Sequence, residues 1–307
     1  MIRPFEPADA AAVVALVRRV AVDWATSPRG LVHRLGSHPK RAHQQAWLAE
    51  EDGSVVGFAR ARLLWEIGSE RVGSFWLAVR EDRRRRGVGR ALLDEAAAHL
   101  RAAGAVKLES FAEEEPGRRF LAAFGLVPRG IEHVSVLDPA RAEFSALAGL
   151  EERARECGFR AEALEHVRAG PRDLHAVYAG ALVDVPGAFV ADDVRYEEWT
   201  RECLDDPDLS HSGSVVVLAG ERPVALSFLM SDGSGRAATD MTGTLPAYRR
   251  RGLARLAKLG TVRWAAENGV ETMLTGNDDD NAAMLALNRS LGYRPLAERT
   301  FFLGDAR

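Results

Sequence analysis

Cysteine is nearly absent from this 307-residue chain: only Cys157 and Cys203 occur, without disulfide or metal-ligand spacing around them. A disulfide scaffold and a thiolate metal site are thereby excluded, and both residues read as ordinary buried or half-buried thiols. No run of about 18 apolar residues occurs, and Met1–Glu6 lacks the charged-then-apolar pattern of a secretory leader. The expectation is a soluble, cytoplasmic protein without membrane contact. An excess of charge of one sign is missing too, since 41 Lys and Arg face 44 Asp and Glu for a formal charge of −3. No chain-wide positive field recruits nucleic acid or a membrane surface, which leaves a small molecule as the expected partner. Nothing in the sequence fixes the oligomeric state.

What is present is ordinary for a packed protein: 47% hydrophobic and 28% charged residues. The length is about twice the common domain size of about 100–150 residues, so two domains are expected. A search for internal repeats sharpens this. Phe75-Trp76-Leu77-Ala78-Val79 leads through Arg83-Arg84-Arg85-Arg86 to Gly87-Val88-Gly89-Arg90, and Thr242-Gly243-Thr244-Leu245 leads through Arg249-Arg250-Arg251 to Gly252-Leu253-Ala254-Arg255. Gly87 and Gly252 lie 165 positions apart. Each turn opens a helix, with Val88, Leu92, Ala96 and Leu100 or Leu253, Leu256, Ala257 and Trp264 at helical spacing, closed by Gly104 or Gly269. A short strand follows each helix (106–111; 271–275), then a second helix, then Gly125-Leu126 or Gly292-Tyr293. Each half begins with a strand (2–5; 159–164) and an amphipathic helix (8–20; 172–183). Residues 131–137 read as the last strand of the first half and 139–157 as a helical connection, so the break is placed near 150, giving domains 1–150 and 151–307. No Pro- or Gly-rich linker separates them.

A glycine turn between strand and helix aims free backbone N–H groups at one point, where the helix dipole also favours an anion. Gly87 and Gly89, or Gly252 and the small Ala254, leave room for a phosphate to approach; a plain tight corner is the other reading. Neither Gly-x-x-x-x-Gly-Lys-Ser/Thr nor a full Gly-x-Gly-x-x-Gly after a first strand is present. Four arginines in a row usually make a solvated face, but cations at a helix N-terminus are disfavoured unless an anion joins them.

Arg84-x-x-Gly87-x-Gly89 and Arg249-x-x-Gly252-x-Ala254 both match Arg/Gln-x-x-Gly-x-Gly/Ala, the pyrophosphate signature of the GNAT superfamily of N-acetyltransferases, which the chain resembles over most of both halves. Asn281-Ala282-Ala283-Met284 and Leu291-Gly292-Tyr293 are similar to the family's Asn-x-x-Ala and Gly-Phe segments, with Met284 where Ala is usual. The resemblance implies an α/β (α+β) fold in two tandem copies, each a mixed, mostly antiparallel sheet flanked by helices. It implies acetyl-CoA, with pyrophosphate on Arg84, Arg85, Arg86, Gly87, Val88, Gly89 and Arg90, or on Arg249 to Arg255. Pantetheine would lie along Leu77 to Val79 or Thr242, Thr244 and Leu245, where the family's strands splay apart. Asn277 and Asn281 are placed to bond that arm, or to cap a helix.

Acetyl transfer needs a base for the amine, an N–H for the developing oxyanion and a proton for the departing thiolate. The family's usual Tyr, four residues before the Gly of the Gly-Phe pair, is replaced by Leu121 and Asn288. Asn288 offers a hydrogen bond but no proton, and Leu121 offers neither. Asp240 shares a face with Thr242 and Thr244 by the period of two and leads as the base, unless it is a solvated turn residue; residues 73–77 carry no acid. Tyr248 and Tyr293 are alternative acids, Tyr293 better suited to the core. Transfer to a small-molecule primary amine by direct attack in a ternary complex is expected in the second half. A CoA-binding sensor without turnover, or transfer of another acyl group, is the alternative. Acceptor recognition falls to segments 24–41 and 190–211.

Overall fold

The computed structural model describes residues 1–21, 24–64, 71–182 and 195–306. Val183, at the end of an expected helix, and residues 190–194 of the second acceptor segment lie outside them.

In chain order the elements are β1 (Ile2–Pro4), α1 (Ala10–Val20), α2 (Pro28–Gly36), β2 (Gln45–Glu51), β3 (Ser54–Leu64), β4 (Val72–Val79), α3 (Val88–Ala102), β5 (Lys107–Ala112), α4 (Glu115–Ala123) and β6 (Val127–Leu137). The same order then recurs after a connecting helix: α5 (Ser145–Glu156), β7 (Phe159–Ala163), α6 (Pro171–Leu182), α7 (Tyr196–Trp199), β8 (Val215–Ala219), β9 (Arg222–Ser231), β10 (Arg236–Thr244), α8 (Leu253–Glu267), β11 (Thr272–Asp278), α9 (Ala282–Ser290) and β12 (Arg294–Asp305). The expected repeat is therefore present element by element. α3 and α8 have 15 residues each. Gly104 (φ 90°) and Gly269 (φ 73°) take the left-handed conformation just beyond them.

Two compact units result, but not at the expected boundary. The first comprises residues 1–132 and 297–306, the second 133–182 and 195–296. Residue 150 falls inside α5, whose Leu147 and Ala154 are buried in the second unit's core beside α8 and β7. The chain's last strand also departs from the expected division at 151–307. Thr300–Asp305 of β12 pairs antiparallel with Lys107–Ala112 of β5, and Phe302 is buried in the first unit's core.

The first unit's strands run in the order β1-β2-β3-β4-β5-β12, with β4 and β5 parallel and the other registered neighbours antiparallel. Alternation along β4 sends Phe75 and Val79 into a core with α3's Leu92, Leu93, Ala96 and Leu100, and Ala78 and Trp76 into one with α1's Val13, Val14 and Val17. The second unit's order is β6-β11-β10-β9-β8-β7, with only β10 and β11 parallel among the registered pairs. α8 and α5 cover one face of its sheet; α6 and α7 cover the other. No helix among the described residues is long and apolar enough to cross a membrane.

Candidate functional site

Each unit holds a fork between its two parallel strands. β4 and β5 pair over Val72, Gly73 and Ser74 with Lys107, Leu108 and Glu109, and then part. β10 and β11 pair over Arg236, Ala237 and Ala238 with Thr272, Met273 and Leu274, and then part. Leu77 and Val79, like Thr242 and Thr244, stand beyond the paired stretch, where the strand edge facing the fork has no registered ladder partner among the described residues. Such an edge can pair with the amides of an extended ligand. Thr242 Oγ1 lies 3.0 Å from Ser227 Oγ, and Thr244 Oγ1 is buried without a hydrogen-bond partner. Leu245 instead packs its side chain into the core against Gly180.

At the open end of each fork the turns are near-copies. Arg85 and Arg250 both have φ 62°, and Gly87 and Gly252 have φ 87° and 79°. Arg84 Nε donates to the Val79 carbonyl at 3.3 Å, and Arg249 Nε donates to the Thr244 carbonyl at 3.1 Å. Left-handed backbone at an arginine is uncommon, so its recurrence shows that both turns are held to one shape. No side chain caps α3 or α8, whereas Ser27 caps α2 and Asn281 caps α9. Their first N–H groups are therefore available to an anion, which is how the residues present fit a pyrophosphate.

The surrounding arginines divide. Arg86 is exposed, while Arg251 lies over the rings of Phe159 and Tyr248, 5.8 Å from each centroid. Arg255 Nε is buried without a partner beside the second turn. Arg90 is paired along its own helix with Asp94, and Arg84 reaches Glu114 at 3.1 Å. Val88 and Leu253 pack into the cores, so only their backbone can serve a ligand. Gly89 and Ala254, one residue further on, are half-buried. A Cβ on Gly87 would meet nothing within 4 Å, and one on Gly252 would meet Leu150 at 3.8 Å.

Asp240 lies in the second fork, but not on the face expected. The β9–β10 register slips by one between Thr239 and Met241, which makes Asp240 the extra residue of a β-bulge. The bulge resets the alternation. Thr242 stays level with Ser227, whereas the Asp240 carboxylate turns to the α6 side, 3.9 Å from Cys203 Sγ, and accepts a hydrogen bond from Tyr178. Burial, then the nearby Asp240, Cys203 and Glu202, hold the Tyr178 hydroxyl well above its ordinary pKa. His175, Tyr196 and Trp199 complete an aromatic cluster here, and Trp199 Nε1 is buried without an acceptor. The first unit's β3–β4 register runs without a slip.

Asn277 and Asn288 are brought together: Asn288 Nδ2 donates to Asn277 Oδ1 at 2.5 Å. Asn288 is 1% exposed, and its Oδ1 has no partner. Either orientation of that amide leaves one polar atom for a ligand. Asn281 Oδ1 accepts from the Met284 N–H, so its side chain is a helix cap. Leu121 is core, as is Tyr293, and Tyr248 sits edge-on to Phe159. Cys157 is exposed, not buried, because it follows the surface end of α5. Among the described residues no cluster of three His, Cys, Asp or Glu is arranged for a metal.

Two functional-looking groups escaped the sequence. Lys258, fully buried on α8, donates to Thr275 Oγ1 at 3.3 Å, and burial lowers its pKa to about 7. Glu109, 3% exposed at the first fork, has an unpartnered Oε2. The signals were present: a lysine within the apolar run 256–259, and an acid in the strand Lys107–Ala112.

Comparison with known proteins agrees with this geometry. The family model described as "Acetyltransferase (GNAT) family" matches residues 17–126 and 185–293. No curated protein matches the sequence. Among solved structures, a tandem GNAT protein from the clavulanic acid biosynthesis pathway is similar, with a TM-score of 0.73 at 20% identity, covering 100% of this chain and 98% of that one. A GCN5-related N-acetyltransferase from Sphaerobacter thermophilus gives 0.69 at 15% identity, covering 100% and 96%. A glucosamine N-acetyltransferase region of a fungal multi-domain enzyme gives 0.68 at 15%, covering 98% of this chain and 38% of that one.

Proposed function

The chain belongs to the GNAT family of acetyltransferases, and from that premise we propose that it transfers acetyl from acetyl-CoA to a primary amine of a small molecule, by direct attack in a ternary complex within the second unit. The observation that carries this reading is the bulge at Asp240, which sets an exposed carboxylate beside Tyr178, at the edge of the aromatic cluster, just beyond the paired stretch of two parallel strands. The first unit has the same fork without the bulge.

Acetyl-CoA supplies an activated acetyl group as its thioester. The uncapped turn Arg249–Arg255 holds the pyrophosphate, the free edge of β10 from Thr242 to Thr244 pairs with pantetheine, and the unsatisfied amide of Asn288 holds the arm from the α9 side. Asp240 and Glu202 attract a cationic amine, while Tyr178, Tyr196 and Trp199 flank its carbon skeleton. Asp240 then accepts the ammonium proton, directly or through water, freeing the nitrogen lone pair. Asn288 stands where the family places a proton donor, so transfer by this unit draws the thiolate's proton from water.

Thiol release from acetyl-CoA across a panel of primary amines tests the activity, with Asp240→Asn as the discriminating variant. A fall in kcat of about 10²-fold or more, with unchanged CoA affinity, is expected of a general base; an Asp240→Asn protein with full activity overturns the assignment. Leu121 and Asn288, neither able to release a proton, favour one other reading, coenzyme A binding without turnover. Tight CoA binding with no thiol release from any amine would select it.

A further inference from the structure

The second unit's sheet ends at β7, which has β8 on one side and no strand on the other among the described residues. Its register fixes which backbone groups face outward. The Leu164 N–H donates to the carbonyl of Ser214, one step beyond the Ala163–Val215 pair, so the hydrogen-bonded pairs of this ladder continue as Glu162 with Val216 and Arg160 with Leu218. The N–H and C=O groups of Phe159, Ala161 and Ala163 therefore point away from β8, and no partner meets them among the described residues. Open edges are ordinarily blunted. β1, at the corresponding edge of the first unit's sheet, is three residues long and closes with Pro4. β7 runs five residues without a proline. Alternation puts Phe159 and Ala161 in the core beside α5 and α8, and Arg160 and Glu162 on the opposite face. Arg160 bonds Glu162 at 2.7 Å and Glu221 at 2.9 Å, yet its side chain is 40% exposed and that of Glu162 30%. A groove of about 500 Å³, walled by Glu221, His166 and Arg168, runs beside residues 160–163 and leaves room for an incoming strand.

We propose that β7 is a self-association edge, on which a second copy of this chain adds its own β7 antiparallel to the first about a two-fold axis through Ala161. In that register Phe159 of each copy meets Ala163 of the other, and Ala161 meets Ala161, so every outward N–H and C=O group on both strands exchanges a hydrogen bond. Between them, Arg160 of each copy stands opposite Glu162 of the other in the closer, non-bonded type of pair, with Cα atoms about 4.5 Å apart, where opposite charges attract and like charges repel. The charge pattern selects this axis. An axis through Arg160 or through Glu162 sets that residue against its own like charge, and an axis between two residues sets outward backbone groups against inward ones.

Sedimentation equilibrium of the full chain from about 1 µM to about 1 mM reads the association. The average mass is expected to rise from one chain toward two. Ala161→Pro removes an outward N–H that the β7–β8 ladder does not use, so the melting temperature is expected to hold within a few degrees while dimerisation weakens at least tenfold. Arg160→Glu and Glu162→Arg each put like charges across the axis, and each alone is expected to remain monomeric. Mixed in equal amounts, the two variants oppose unlike charges at both positions and are expected to associate at least tenfold more tightly than either does alone, a rescue that a merely structural role for these residues would not produce. A chain that stays monomeric throughout, whether its edge is covered from within or serves a different partner, overturns the proposal. So does a dimer indifferent to Ala161→Pro, or a variant mixture that fails to associate.

Discussion

Glu109 and Lys258 are ionisable groups whose burial makes opposite demands on pH. Glu109 is raised from 4.5 to about 7 in the fold, so between those values the folded chain binds more protons than the unfolded one. Stability therefore falls as pH rises through about 4.5 to 7, by about 3 kcal/mol for this group alone. Urea midpoints at several pH values should show that fall in the wild type and a flatter profile in Glu109→Gln. Lys258 is lowered from 10.5 to about 7, so between about 7 and 10.5 the unfolded chain holds the extra proton and stability rises with pH. Lys258→Met keeps the volume and removes the buried amine; the expected outcome at pH 7 is a gain of about 2–4 kcal/mol, read in the same titrations. A loss there would show that the Thr275 bond outweighs desolvation. Neither burial was legible in the sequence, because a single Glu or Lys among apolar residues looks the same whether it turns inward or outward. Leu121 and Asn288 were legible as to identity and position, since the count from Gly125 and Gly292 is local.

At the level of elements, the sequence exposed what local chemistry dictates. The glycine turns, the helices behind them and their left-handed stops all appear where the residues required them, 165 positions apart in both copies. The bulge at Asp240 was not legible, because a slip in register belongs to two strands paired together and leaves no mark in either alone; simple alternation put the carboxylate on the wrong face. The turns permit a matched experiment. Gly87→Val and Gly252→Val each force a β-branched residue into positive φ, at a cost of about 1–2 kcal/mol or more, so their melting temperatures should fall by similar amounts. Only Gly252→Val is expected to abolish acetylation and weaken coenzyme A binding. Activity lost with Gly87→Val and kept with Gly252→Val would move transfer to the first unit.

At the scale of the whole molecule, the repeat does not fold as two successive halves. The first unit takes its closing strand from the end of the chain, and residues 133–137, which end the first repeat's last strand, belong to the second unit. The sequence could not reveal this, because β6 and β12 stand at equivalent places in the two repeats and either satisfies the same pairing rule; only the completed backbone decides which sheet each joins. The consequence is that the N-terminal unit depends on the C-terminal residues. Phe302 is buried beside Leu108 and Leu126 in the first unit's core, Arg299 bridges Glu113 and Glu132, and the Ala306 N–H donates to the Val106 carbonyl. Phe302→Ala should cost about 3–5 kcal/mol, and hydrogen exchange should place the loss of protection in β4, β5 and α3 of the first unit, with α8 and β10 of the second retaining theirs. Removing residues 297–307 should deprotect the first unit further while its own 132 residues remain intact in sequence. Uniform loss across both units would mean that they unfold as one cooperative body; protection lost first in the second unit would contradict the assignment of β12 to the first.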